Sequence, residues 1–403
     1  MTHPQDQYPP QDARTLPARD HDASETLLER VRQAAATGTA LRLVGGGSKG
    51  FYGRPVAGET LSLAEHTGIV NYDPVELVVT VRAGTRLADL QAALAQEGQQ
   101  LAFEPPHFGE NATVGGTVAC GLSGPRRPWA GSVRDFVLGT RMITHDGKRL
   151  HFGGEVMKNV AGYDLSRLMV GAQGTLGIID EVSFKVLPRP AASATLRLEM
   201  GLGDAMARLA EWGRKPMPIT GAAHDGETLH LRLEGGASSV ANTQAQLGGE
   251  PDGTSFWTQL RELELAFFSR RHDDRPLWRL SLPHRAPPLA LDGDTLVDWA
   301  GAQRWLRSEL PPHRAPPLAL DGDTLVDWAG AQRWLRSELP AATIRQHAAQ
   351  AGGHATLVDR DRAHGVDAPF TPLSVVMDKY HRQLKAKLDP KGIFNPGRLY
   401  EGL

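Results

Sequence analysis

Three glycine-rich stretches hold the residues whose types and spacing could do chemistry. The first, Gly45-Gly46-Gly47-Ser48-Lys49-Gly50, satisfies the pattern G-x-G-x-x-G. In such a turn, successive backbone N–H groups form a nest that can hold a phosphate without help from a helix dipole. The second runs from Gly115 through Gly116, Thr117, Cys120, Gly121 and Ser123 to Gly124, and the third, Lys158 to Ile179, ends in Gly174-Thr175-Leu176-Gly177-Ile178-Ile179. Glycines alternating with small and β-branched residues let backbone approach something large and flat, and a bound cofactor is the natural occupant. A Rossmann unit would need a helix opening at the first glycines, but Tyr52, Gly53, Arg54 and Pro55 oppose one. The loop therefore stands without the Rossmann helix.

Regular elements must position these loops. Leu27, Leu28, Val31 and Ala34 have helical spacing over 23–36, with Ser24 placed to cap, and a strand is expected over 40–44. Leu77–Ala83 reads as a strand, Thr85 opens a helix that ends at Gly98, and strands at 136–143 and 149–152 flank a turn at His145-Asp146-Gly147. Glycine and strand content stay high to about Pro188. From 191 onward strands at 191–200 and 229–233 bracket a helix at 204–212, so a second, α/β domain starts near residue 190. A helix over 375–388 leads into Asp389-Pro390-Lys391-Gly392-Ile393-Phe394-Asn395-Pro396-Gly397-Arg398, a tight irregular path of the kind that docks against something.

Composition narrows the function classes. The 403 residues are 40% hydrophobic, and 44 basic against 46 acidic side chains leave no nucleic-acid footprint. Cys120 is the one cysteine, which excludes an intrachain disulfide or a thiolate-held cluster and suits a reducing compartment. Residues 1–22 read as a disordered leader, and no run of about 18 apolar residues spans a membrane. Pro283–Pro311 and Pro312–Pro340 are identical at every position. Two perfect copies are not a solenoid. Each offers one strand candidate, at 295–299 and 324–328, and a short helix start, and one copy is expected to be surplus.

At Gly45–Ser48, Gly115–Gly124, Lys158–Ile179 and Leu388–Arg398 the sequence resembles the FAD-linked oxidases with a vanillyl-alcohol-oxidase-type flavin domain. The nearest likeness is to the FAD-binding subunits of bacterial glycolate oxidases, from about residue 23 onward. Lys158-Asn159-Val160-Ala161-Gly162-Tyr163-Asp164-Leu165 together with Gly174–Ile179 points to the branch that oxidises 2-hydroxy acids. The resemblance implies an α+β fold: a two-part PCMH-type FAD-binding domain over 23–190, a smaller α/β cap domain over 191–371 that contains the repeat, and a segment over 372–403 returning to the FAD domain. It implies that Gly45, Gly46, Gly47 and Ser48 wrap the pyrophosphate. On the same ground Gly115, Gly116, Thr117, Gly121, Ser123 and Gly124 line the other side of the flavin, with Gly174, Gly177, Ile178 and Asn395 also at the cofactor. Some relatives carry a flavin-bonding histidine in the first loop; Ser48 stands here, so the FAD is expected to be non-covalent.

Catalytic subunits of this branch carry H-x-x-G-D-G-N-x-H, which holds a divalent metal beside the substrate carboxylate. The chain lacks it. The corresponding region offers His354, with His364 and His381 beyond, at no spacing that puts two imidazoles on one metal. Lys158, Tyr163 and His354 are the weak catalytic candidates, and no metal site is expected. The resemblance thus implies a FAD-binding subunit that oxidises glycolate to glyoxylate, or assists in doing so, beside a paralogous FAD-linked catalytic subunit and an iron–sulfur subunit. It would be cytoplasmic, or peripheral to the inner membrane through those partners. A stand-alone FAD-dependent D-2-hydroxyacid dehydrogenase and a non-catalytic assembly subunit are the competing readings.

Overall fold

The computed structural model describes residues 20–154, 164–253, 255–269, 275–283, 290–292, 295–299, 319–321, 323–327, 329–359 and 365–403. The first helix, Ser24–Thr37, buries Leu27, Leu28, Val31, Ala34 and Ala35 and stops at Gly38, whose φ of 69° is left-handed. Ser24 does not cap it. Asp22 takes that part, its carboxylate accepting from the Ser24 N–H at 2.9 Å. Those hydrogen bonds, helped by Arg82 and His66, hold the Asp22 carboxyl at about 2 against its partial burial.

The strand Leu41–Val44 pairs in parallel with Glu59–Ser62 and is bridged on its other side by Phe394. Behind this small lobe stands a five-stranded antiparallel sheet in the order Ile69–Asp73, Val78–Arg82, Ile178–Lys185, Val137–Ile143 and Arg149–Gly153. The alternation read in the sequence therefore yields strands where expected, and the helix Leu87–Gln96 begins two residues after Thr85. Burying each of Val79, Val81, Leu90, Leu94, Ile143 and Phe184 in one core contributes roughly 1.5–3 kcal/mol. The central strand also buries Asp180 and Glu181, and charges answer them. Arg149 pairs with both, Arg141 reaches Glu181 at 3.0 Å, and His66 lies 2.9 Å from Asp180.

From Ala192 a second sheet of nine strands begins, with the order 250–252, 192–199, 228–235, 219–224, 295–299, 323–327, 329–336, 277–281 and 354–358. The two repeat copies enter it side by side. Thr295 and Leu296 pair in parallel with Thr324 and Leu325, and Ala290–Asp292 pairs likewise with Ala319–Asp321. Parallel, in-register alignment sets each of these residues opposite the same residue of the other copy. Both copies address one partner: Val297 and Val326 are each set against Arg333. The helix start expected in each copy is not seen in the second, where Ala329–Arg336 is a strand that buries Trp334 and Leu335 between neighbouring strands. Tertiary pairing overrides the local preference there.

The tail returns as its prolines and glycines suggest. After the helix Val375–Leu388, the Leu41 N–H donates to Ile393 O at 2.7 Å and the Asn395 N–H to Leu41 O at 3.0 Å. Lys385 holds the turn by donating to Thr175 O, Asp389 Oδ2 and Phe394 O at 2.7–2.8 Å.

Candidate cofactor-binding site

The loop Gly45–Gly50 leaves the strand Leu41–Val44 and packs directly on residues 111–113. A Cβ at Gly46 would overlap the Asn111 carbonyl, and one at Gly45 would overlap Thr113 Oγ1. Glycine is required at 46 by this approach of two backbones, and at 45 by the capping Thr113 side chain. The left-handed turn itself falls at Gly47, with φ 73°. Gly50 N–H closes the turn onto Gly47 O at 3.0 Å, and the amides of Gly46, Gly47, Ser48 and Lys49 have no partner among the described residues. Orphaned amides in one turn make an anion-binding nest.

The second glycine stretch contains a short helix, Val114–Cys120, which the sequence reading did not assign. Thr113 caps it, its Oγ1 accepting from Gly116 N–H at 3.3 Å, and Gly121 ends it with φ 67°. A threonine cap immediately ahead and a left-handed glycine behind outweigh the poor helix propensity of its glycines. The third stretch turns at Gln173-Gly174 (φ 48° and 70°) into the central strand. Asn395 ties all of this together. Its Nδ2 donates to Gln173 O at 2.7 Å and its Oδ1 accepts from Leu43 N–H at 2.8 Å.

These segments enclose a cavity of about 610 Å³. Gly45, Gly46, Gly47, Ser48, Gly115, Gly116, Gly174, Gly177, Ile178 and Asn395 line it. Thr117, Gly121, Ser123 and Gly124 are elsewhere. Thr117 points into the protein, 1% exposed; Gly121 ends the helix; Ser123 Oγ accepts from Val133 N–H at 3.0 Å. Ser123 and Gly124 border a separate 40 Å³ crevice with Tyr52, Arg279 and Trp334. There Arg279 donates to the Tyr52 hydroxyl at 2.7 Å and lies 5.3 Å from its ring centroid, joining the nine-stranded sheet to the glycine-loop side. His354 is exposed at the start of the edge strand, opposite Ser281, and outside the cavity. Lys158, Tyr163 and His364 lie outside the described residues.

The sequence reading missed Lys49, Gln173 and Arg398, which also line the cavity. Lys49 was legible as the residue after Ser48 in the same loop, and Arg398 as the charge closing Asn-Pro-Gly-Arg. Burial pushes the Lys49 ammonium and the Arg398 guanidinium down and the Cys120 thiol up. Orphaned amides, glycine-lined walls and a cationic interior fit a dinucleotide cofactor.

Comparison with known proteins agrees with that chemistry. The FAD binding domain family matches residues 22–153, which contain the first loop and the glycine helix. This is an FAD-binding protein of the flavin-linked oxidoreductases. Glycolate oxidase subunit GlcE of Escherichia coli strain K12 is 51% identical over 385 residues, 96% of this chain and 99% of its own length, and the chain belongs to its family. A D-lactate dehydrogenase of Anaerostipes hadrus is 38% identical over 38% of this chain and 32% of its own, and glycolate oxidase subunit GlcD of Bacillus subtilis strain 168 is 35% identical over 35% of this chain and 30% of its own. A solved structure of alkyldihydroxyacetonephosphate synthase superposes with a TM-score of 0.61 over 94% of this chain and 76% of that one; at 16% identity the likeness shows the fold alone. No helix among the described residues is long and apolar enough to cross a membrane.

Proposed function

We propose that this chain is the FAD-binding subunit of a glycolate oxidase, working with a paralogous FAD-linked catalytic subunit and an iron–sulfur subunit to turn glycolate into glyoxylate. The carrying observation is the 610 Å³ cavity, built jointly by the glycine loop, the glycine helix and the returning tail, in a chain that matches the GlcE subunit end to end. FAD, when bound, accepts the two electrons released as the 2-hydroxy acid becomes a 2-oxo acid. The chain's own residues do the holding. The loop amides and cationic walls receive the dinucleotide, and Asn395 fixes the tail against both glycine segments. Ser48 offers no imidazole, so the FAD is bound non-covalently.

Among the described residues no three His, Cys, Asp or Glu gather as a metal site, and the histidine-rich motif of the catalytic subunits is missing from the sequence. Substrate oxidation is therefore assigned to the assembled complex. Purification from the native host tests this. A flavin band accompanied by iron–sulfur absorbance from co-purifying chains, with glycolate bleaching the flavin only in the assembly, is expected. Bleaching by glycolate or D-lactate in the isolated chain would favour a self-sufficient dehydrogenase instead. Acid precipitation is expected to leave the yellow colour in the supernatant; colour in the pellet contradicts non-covalent binding.

A further inference from the structure

The cavity lining contains Arg42, Lys49 and Arg398 and neither aspartate nor glutamate. Lys49 is 7% exposed. Its ammonium donates to His107 O at 3.2 Å and lies 5.9 Å from the Phe108 ring centroid, and it forms no ion pair among the described residues; the charge of Glu262 reaches it, but that carboxylate is already held by the His107 and Phe108 amides and by Arg261. Arg398 enters from the tail and donates to Gly50 O and Tyr52 O at 2.9 Å, Arg54 O at 2.7 Å and Gln173 Oε1 at 3.0 Å, again without a carboxylate. Three other buried cations among the described residues are matched. Arg126 and Arg232 share Glu104 and Glu234, and Lys385 holds Asp389 at 2.7 Å.

A buried cation whose counter-charge is shared with another cation is costly, and a ligand of opposite sign relieves that cost. Both of these cations face one cavity, beside four loop amides that also lack partners. We propose that Lys49, seconded by Arg398, is the counter-charge of the diphosphate bridge of the bound dinucleotide, so that the flavin-free protein carries an unbalanced positive site that FAD neutralises. The inference rests on the reading that this cavity holds FAD, and it adds a side-chain contribution to a loop otherwise read as binding through its backbone.

The experiment uses the full-length chain stripped of flavin, with the variants Lys49→Met and Lys49→Arg. FAD dissociation constants are measured by flavin fluorescence, and ADP, which carries the diphosphate and no flavin, is used to displace FAD. Loss of a charged hydrogen-bonding partner corresponds to about a ten- to hundredfold weakening. That loss is expected for FAD with Lys49→Met and not with Lys49→Arg, and ADP should bind Lys49→Met more weakly by a similar factor. The flavin-free Lys49→Met protein is expected to melt no lower than the flavin-free parent, because an unbalanced buried charge has been removed. Unchanged FAD affinity, ADP that displaces FAD poorly from the parent or equally well from both proteins, or a lower flavin-free melting temperature overturns the inference. A parent that binds no FAD overturns the cavity reading itself.

Discussion

The two sheets of this molecule solve opposite problems. The five-stranded sheet and its attached loops, up to Pro188, must leave room for a guest, and they do so with residues that have no side chain: the positions that wall the cavity are glycines wherever two backbones meet. The nine-stranded sheet is packed with large side chains such as Trp257, Trp278, Trp334 and Leu335, with charges clipped in pairs. In the first region a single added methyl is therefore more damaging than a lost one. In the second the reverse should hold, and a whole duplicated strand has been admitted.

The largest effect that would sharpen this contrast is at Gly46. Valine there must displace the Asn111 carbonyl, so Gly46→Val is expected to remove FAD entirely and to lower the melting temperature; flavin retained at full stoichiometry would mean that the loop packs otherwise. Next comes the seam between the regions, where Glu104 takes Arg232 and Arg126. Burial raises its carboxyl, but these two arginines outweigh it and hold the pKa low. Glu104→Ala leaves two buried guanidiniums to share Glu234 alone and is expected to cost up to about 3–5 kcal/mol in denaturant unfolding. A loss under 1 kcal/mol would show the seam to be solvated and the two sheets independent.

A smaller effect lies wholly within the nine-stranded sheet. His230 stacks on Phe256 with its ring nitrogens 3.1 Å from Asp225 and 3.0 Å from Asp252. Burial raises the Asp225 carboxyl, but its bonds with His230 and with the Thr228 and Glu227 amides hold it at about 2. A carboxyl lowered by folding stabilises above its unfolded pKa, near 4, and that contribution is lost as the pH falls from about 4 to 2. Melting curves of the parent and Asp225→Asn should therefore differ at pH 6 and converge toward pH 2; a constant gap would assign the effect to packing. The smallest effect is expected from deleting Pro283–Pro311, which leaves the junction Leu282-Pro312 with the same local sequence. Flavin content should not change and the melting temperature should equal or exceed the parent's, since loop length costs only about 0.6 kcal/mol per doubling. A variant melting several degrees lower would make both parallel strands structural.

The cofactor side was more legible than the rest because its constraints act on residue type. Glycine has no substitute at 46, where two backbones touch, or at 45, against the Thr113 side chain, and such positions announce themselves in a sequence. Which contact demands the glycine was not legible: Gly46 answers to Asn111, not directly to a phosphate, and the positive φ belongs to Gly47. The helix at Val114–Cys120 was hidden because its glycines disguise a capped turn, and Thr117 and Ser123 were misplaced by reading the stretch as one wall. Lys49 and Arg398 escaped notice because a cation reads as a solvated surface residue until its burial is seen. In the nine-stranded sheet, Ala329–Arg336 takes its conformation from its neighbours, and no local signal could supply that.

Asn395 joins residues that are 352 and 222 positions away from it along the chain, at Leu43 and Gln173. During synthesis the glycine loop emerges early and its pin comes hundreds of residues later, so a growing chain exposes half a cavity for most of its time on the ribosome. The cavity is thereby completed only when the tail arrives.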